Sequence, residues 1–125
     1  MTQSLRQRWR FPATTASVAS ARNAVAGLVA EHHPTLADDV RIVVSELASN
    51  AVLHAGTPYD VLAQVAGDRV RVEVADAAPA LPAVRYPALE ATSGRGLHLI
   101  TALCERWGVE QRGGGKVVWV ELVAR

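Results

Sequence analysis

Residues 69 to 76 read RVRVEVAD, an alternation of charged and apolar residues that suits a β-strand with one covered face and one wet face. Val70, Val72 and Val74 share one side, and Arg69, Arg71 and Glu73 the other. Asp76 keeps the parity of the valines, so its carboxylate is expected on the covered face. Two readings of it stay open: a strand-end acceptor satisfied by loop amides, or a ligand acceptor in a slot between sheet and helix.

The same period of two runs through residues 59 to 66, and the turn Gly67-Asp68 makes the two segments a hairpin. QRWRF at residues 7 to 11 reads as a short edge strand ended by Pro12, and WGVEQR and KVVWVELVA flank the glycines 113 to 115 as a final hairpin. Helical spacing governs TTASVASARNAVAGLVAEHH, with Thr14 or Thr15 as cap and Pro34 as stop. Thr35 followed by Asp38 resembles a capping box opening a second helix through DDVRIVVSELASNAVLHA to Gly56. An Ala-Pro-rich loop from 77 to 91 has a length usually reserved for function, and a third helix is expected from Leu97 to Arg106. The pattern predicts an α/β fold, a two-layer sandwich whose mixed, mostly antiparallel sheet carries its helices on one face.

With 125 residues, half of them apolar, one domain over residues 1–125 is expected to carry every function. A net charge of +1 gives no argument for direct nucleic-acid or membrane binding, although Arg6, Arg8, Arg10 and Arg22 make the first segment locally basic. A lone cysteine, Cys104, excludes an internal disulfide and reads as a packed thiol. No apolar run approaches the roughly 20 residues that span a bilayer, and no signal-peptide core is present, so a cytoplasmic location is expected.

The second helix raises a chemical question. In SELASNAVLHAG, Glu46, Asn50 and His54 recur at every fourth position and so stack on one face. Ile42 and Leu53 flank Glu46 and Asn50 on one side, and Val43 and Leu47 on the other, which places a carboxylate and an amide inside an apolar face. Burying them costs free energy unless a cation, a ligand or a neighbouring loop pairs with them. His54 reads as a cap near a helix C-terminus, or as a residue shaping a bound anion. The three do not make a zinc set, having one soft donor and no HExxH spacing.

Further on, Gly94 and Gly96 in TSGRGLHLI lead flexible backbone into a helix N-terminus, whose free amides attract phosphate. Arg95 between them is either an exposed loop arginine or a charge-assisted phosphate contact. GxG alone is a weak signal and lacks the third glycine of a dinucleotide fingerprint, and GGGKVV lacks the Ser or Thr of a P-loop.

Taken together, ELASNAVLH, VEVAD and SGRGL, in this order, resemble the N, G1 and G2 boxes of the GHKL (Bergerat-fold) ATPase and kinase superfamily, over about residues 14 to 124. Within it, the small size and the closing GGGKVVWVEL look like the stand-alone anti-sigma-factor serine/threonine kinases of partner-switching systems. The resemblance implies ATP and Mg²⁺ as cofactors, with Glu46 as general base and Asn50 as the Mg²⁺ ligand. Asp76 would accept from the adenine amino group, with Ala78 beside it. Gly94, Arg95, Gly96 and Leu97 would hold phosphates, His54 would shape their end of the site, and residues 77 to 93 would form a lid. It also implies a sigma factor and an anti-sigma-factor antagonist as partners. A homodimer stays open, with the basic first strand and first helix as its surface.

Two residues depart from that pattern. Ala78 stands where glycine or serine is usual, and Val117 near where a threonine hydroxyl commonly helps bind the adenine side. Two functions therefore stand: the ATP-dependent kinase that phosphorylates the antagonist, and a non-catalytic module that sequesters its partner with weak or no nucleotide binding.

Overall fold

The computed structural model describes residues 4–78 and 96–125. The order is β1 (Ser4–Phe11), α1 (Thr15–Ala30), a 3₁₀ turn (Pro34–Leu36), α2 (Ala37–Asn50), a π-helical turn (Ala51–Ala55), β2 (Tyr59–Ala66), β3 (Arg69–Asp76), α3 (Gly96–Leu103), β4 (Arg106–Arg112) and β5 (Gly115–Val123). The strands form one sheet in the order β1-β2-β3-β5-β4. Every pairing among the described residues is antiparallel, so the mostly antiparallel sheet of the sequence reading is reached without a parallel pair.

Register sorts the side chains cleanly. Val61 pairs with Val74, Val72 with Val120, and Val70 with Leu122, all buried on the face that meets the helices. Val25 and Val29 of α1, and Val40, Val43, Val44 and Leu47 of α2, close the core from above. Each such side chain contributes roughly 1.5–3 kcal/mol when fully buried.

The other face collects the charges. Arg71 donates to Glu73 at 3.0 Å and to Glu121 at 2.8 Å while its guanidinium lies 4.4 Å from the centre of the Trp119 ring. Arg112 reaches Glu73 at 3.1 Å and Arg106 reaches Glu121. Gly108 lies opposite Trp119 in the register, and a Cβ there would stand 2.7 Å from the indole, so glycine makes room for the ring.

Caps explain the helix boundaries. Thr14 is the N-cap of α1, its hydroxyl accepting from the Ser17 amide at 3.2 Å. Ser17 Oγ donates to the Thr14 carbonyl at 2.8 Å, so the Tyr59 hydroxyl, 2.7 Å away, must be the donor of that pair. The capping box expected from Thr35 and Asp38 does not form. Pro34 starts a 3₁₀ turn instead, and α2 opens at Leu36 without a side-chain cap. The third helix is shorter than predicted, ending at Leu103, because the chain must turn into β4 by Arg106. Cys104 is indeed packed: burial, aided by the Asp39 charge, pushes its thiol up to about 12.

Hydrogen bonding to Arg106 and Arg71 holds the Glu121 carboxyl below its ordinary 4.5, against the opposing effect of burial. A depressed folded-state pKa stabilises the protein above the unfolded value, and that stability is lost as pH falls through the folded value. Glu121→Gln should therefore be less stable than wild type at pH 7, with the gap closing between about pH 5 and 3 in urea melts. A gap independent of pH would contradict this.

Candidate functional site

Asn50 ends α2 and is buried, at 5% exposure, while Glu46 one turn earlier is half-buried. The flanks differ from the sequence reading. Ile42 is 41% and Leu53 62% exposed, so Glu46 stands at the rim of the apolar face and only Asn50 lies inside it. The helix also does not continue regularly to Gly56. The amide of Gly56, at φ +65°, bonds to the Ala51 carbonyl at 3.2 Å and closes a wide π turn. His54 lies in this turn and is exposed. No buried side-chain nitrogen or oxygen among the described residues lacks a hydrogen bond, so the burial of Asn50 does not by itself demand a ligand.

The π turn touches β3, and just past it Thr57 accepts from the Ala77 amide at 3.3 Å. The end of α2 and the end of β3 are thereby joined. At that junction Asp76 faces the helix layer, as its parity required: its register partner is Lys116, in line with the buried Val118 and Val120. The Asp76 side chain is 3% exposed. Its Oδ1 accepts from the Ala78 amide at 2.9 Å, and its Oδ2 stands 3.0 Å from Lys116 Nζ, which is itself only 14% exposed. The loop-amide reading of Asp76 is met, and Lys116 takes its other oxygen.

Lys116 is the residue that sequence reasoning missed. The signal was legible, since a lysine sharing parity with Val118 and Val120 must project toward the core side. Val117, by contrast, pairs with Ala75 and so lies on the opposite face from Asp76. Asp76, Lys116 and Val117 all line one cleft on the charged side of the sheet. Two clefts, of about 180 and 290 Å³, touch Asp76 from the charged face and the glycine turn, but its carboxylate is too covered to open into them.

Gly96 and Leu97 form the first turn of α3, which packs against α2. Gly94, Arg95 and the proposed lid lie outside the described residues, Ala77 and Ala78 excepted. A groove of about 370 Å³ between α1 and α2 is lined by Val18, Arg22, Ser49, Val52 and Leu53, near the turn that carries Glu46. Among the described residues no group of three or more His, Cys, Asp and Glu side chains could hold a metal, and no helix is long and apolar enough to cross a membrane.

With this geometry in view, the model for the histidine kinase-like ATPase domain matches residues 11–122. The chain belongs to the histidine kinase-like ATPase family. No curated protein matches it by sequence. Among solved structures, it is similar to the RsbU and RsbW domains of Rv1364c from Mycobacterium tuberculosis, with a TM-score of 0.73 and 21% identity. That match covers 95% of this chain and 32% of the other, so the chain spans about a third of that protein. At this identity the likeness shows the fold: an ATPase-family sandwich with an open antiparallel sheet.

Gly115 keeps the junction closed. A Cβ there would stand 2.1 Å from the Asp76 carbonyl oxygen and 3.2 Å from Ala77 Cα, both backbone atoms that cannot step aside alone. Gly115→Ala should destabilise the fold by about 1–3 kcal/mol in denaturant melts, as overpacking does. An unchanged midpoint would mean that the two strands are not held this closely.

Proposed function

We propose that this chain is an ATP-binding regulatory protein, an anti-sigma factor with serine/threonine kinase activity toward an anti-sigma-factor antagonist, acting in the cytoplasm. The observation that carries the reading is the buried Asp76 carboxylate at the end of β3, joined through Thr57 and Ala77 to the turn that follows Glu46 and Asn50. A family of histidine kinase-like ATPases supplies the nucleotide, and a neighbour titled as an RsbW domain favours the partner-switching class.

In this reading Asp76 accepts from the exocyclic amino group of adenine, and the backbone amides of Gly96 and Leu97 at the start of α3 donate to phosphate, with Gly94 and Arg95 as the further phosphate-binding residues. His54, four residues beyond Asn50, would shape the phosphate end of the site. The donor chemistry suits magnesium, because the carbonyl oxygen of Asn50 is a hard, neutral ligand. Bound there, Mg²⁺ would neutralise phosphate charge. The half-buried carboxylate of Glu46 orients the acceptor serine or threonine hydroxyl and takes its proton as the oxygen bonds to the γ-phosphorus and the bond to the β-phosphate oxygen breaks.

Partner contact is supported by Ile42 of α2 and Leu53 of the π turn, apolar side chains left exposed. They suit the antagonist or the sigma factor better than solvent. A second copy of the chain on the basic edge strand β1 is the other arrangement in keeping with the family.

Glu46→Ala should keep nucleotide binding and lower phosphoryl transfer to a cognate antagonist by about 10²–10⁴-fold, the range of a lost general base. Asn50→Ala should weaken Mg²⁺-ATP binding itself. Single-turnover transfer of labelled phosphate separates the two. Equal transfer by wild type and Glu46→Ala would remove the base assignment, and wild-type binding without any transfer would leave the non-catalytic, partner-sequestering module.

A further inference from the structure

Arg6, Arg8 and Arg10 alternate along the open face of β1, and all are exposed. Across the β1–β2 ladder Arg10 meets Asp60 and pairs with it at 3.0 Å, but Arg8 meets Leu62 and Arg6 meets Gln64. Among the described residues no carboxylate pairs with Arg6 or Arg8. The inner side of the strand therefore offers these two charges nothing, and a counter-charge has to come from the free side. That side is an open sheet edge. β1 stands first in the strand order, every residue from Ser4 to Phe11 keeps unbroken register with β2, and Pro12 comes only after the strand has ended. A straight row of backbone amides and carbonyls is left for another strand. The opposite edge of the sheet differs, since Arg106 and Arg112 of β4 already have Glu121 and Glu73.

We infer that the free edge of β1 receives an extended acidic segment of another protein, which adds a strand to the sheet. Its carboxylates, on alternate residues, meet Arg6 and Arg8. The residues between them are apolar and turn to the helix side, where Leu5, Trp9 and Phe11 of β1 are only partly buried against the core. Spacing fits, because alternate side chains repeat at about 6.6 Å along any strand and so match alternate arginines one for one. Main-chain hydrogen bonds supply the affinity, and charge-assisted arginine contacts supply the choice of partner. A second copy of the chain is the rival occupant of this edge, and charge decides against it. When two β1 strands pair antiparallel with both helix layers on one side, any register centred between Arg6 and Arg10 sets arginine opposite arginine, which destabilises the pair. The arginines thus keep the edge from joining its own kind and leave it open to an acidic strand. Nucleic acid would meet the same charges, but it has no peptide backbone to satisfy the edge, and the chain as a whole carries a net charge of only +1.

The test is an NMR titration of the isotope-labelled full chain with short synthetic peptides. One alternates glutamate with valine, one alternates lysine with valine, and two are forms of the first that are N-methylated on one or the other set of alternate amides. The glutamate peptide should shift the β1 amide signals with a Kd below about 1 mM, and the lysine peptide should leave them in place. Methylating one set of amides should abolish binding and methylating the other should spare it, because only every second amide of an added strand faces its neighbour. Arg6→Gln combined with Arg8→Gln should weaken binding by about fivefold or more, and thermal melts should show that this variant stays folded. The same response to both methylated peptides would overturn the inference, since binding would then not be that of an added strand. Undiminished affinity in the arginine variant would overturn it too. A single-stranded oligonucleotide that shifts the β1 amides at lower concentration than the peptide would assign the edge to nucleic acid instead. Shifts that follow the concentration of the chain alone, and that the glutamate peptide does not reverse, would give the edge to a second copy.

Discussion

The organising constraint is that an antiparallel sheet has two faces and covers only one of them with helices. Strict alternation then decides the fate of each residue: valines go under α1 and α2, and arginines and glutamates go to the open side, where Arg71, Glu73, Glu121 and Trp119 lock together. Only at the end of β3 does the rule break. Asp76 and Lys116 carry opposite charges into the covered side, and a buried pair of that kind is rarely retained for stability, since apolar residues of similar volume do as well or better. Violations of this kind are expected at functional sites, and this one lies at a strand end next to the end of α2.

The backbone explains how the end of α2 meets the end of β3. The π turn after Asn50 interrupts α2 at the point where a regular helix would have run on over the sheet, and Gly56 ends it in a left-handed conformation. Thr57 then fastens the turn to Ala77. Gly115 brings the backbone of β5 against Asp76 from the far side. Wide helical turns of this sort recur at functional sites because they reposition side chains without breaking the helix.

Most of the layer architecture was legible from period alone. The hairpin around Gly67-Asp68, the cap at Thr14 and the inward parity of Asp76 all follow from local rules that nothing distant overrides. What escaped were features set by tertiary contact. Thr35 and Asp38 look like a capping box, but Pro34 tightens the chain first. The change from α to π geometry after Asn50 leaves no mark in the periodicity of SELASNAVLHAG. His33 Nε2 donates to the carbonyl of the hairpin glycine Gly67 at 2.7 Å, a contact between segments 34 residues apart. Lys116 follows from the same parity argument as Asp76, since it alternates with Val118 and Val120.

The site therefore rests on one claim, that the covered strand end and the last turn of α2 enclose a nucleotide. A crystal structure grown with magnesium and a non-hydrolysable ATP analogue tests it most directly. The account requires the base edge within hydrogen-bond distance of the Asp76 carboxylate and the Asn50 side-chain oxygen facing the metal and phosphates. A structure with the analogue bound elsewhere, or with Asp76 and Asn50 satisfied only by protein groups and no space between them, would contradict it.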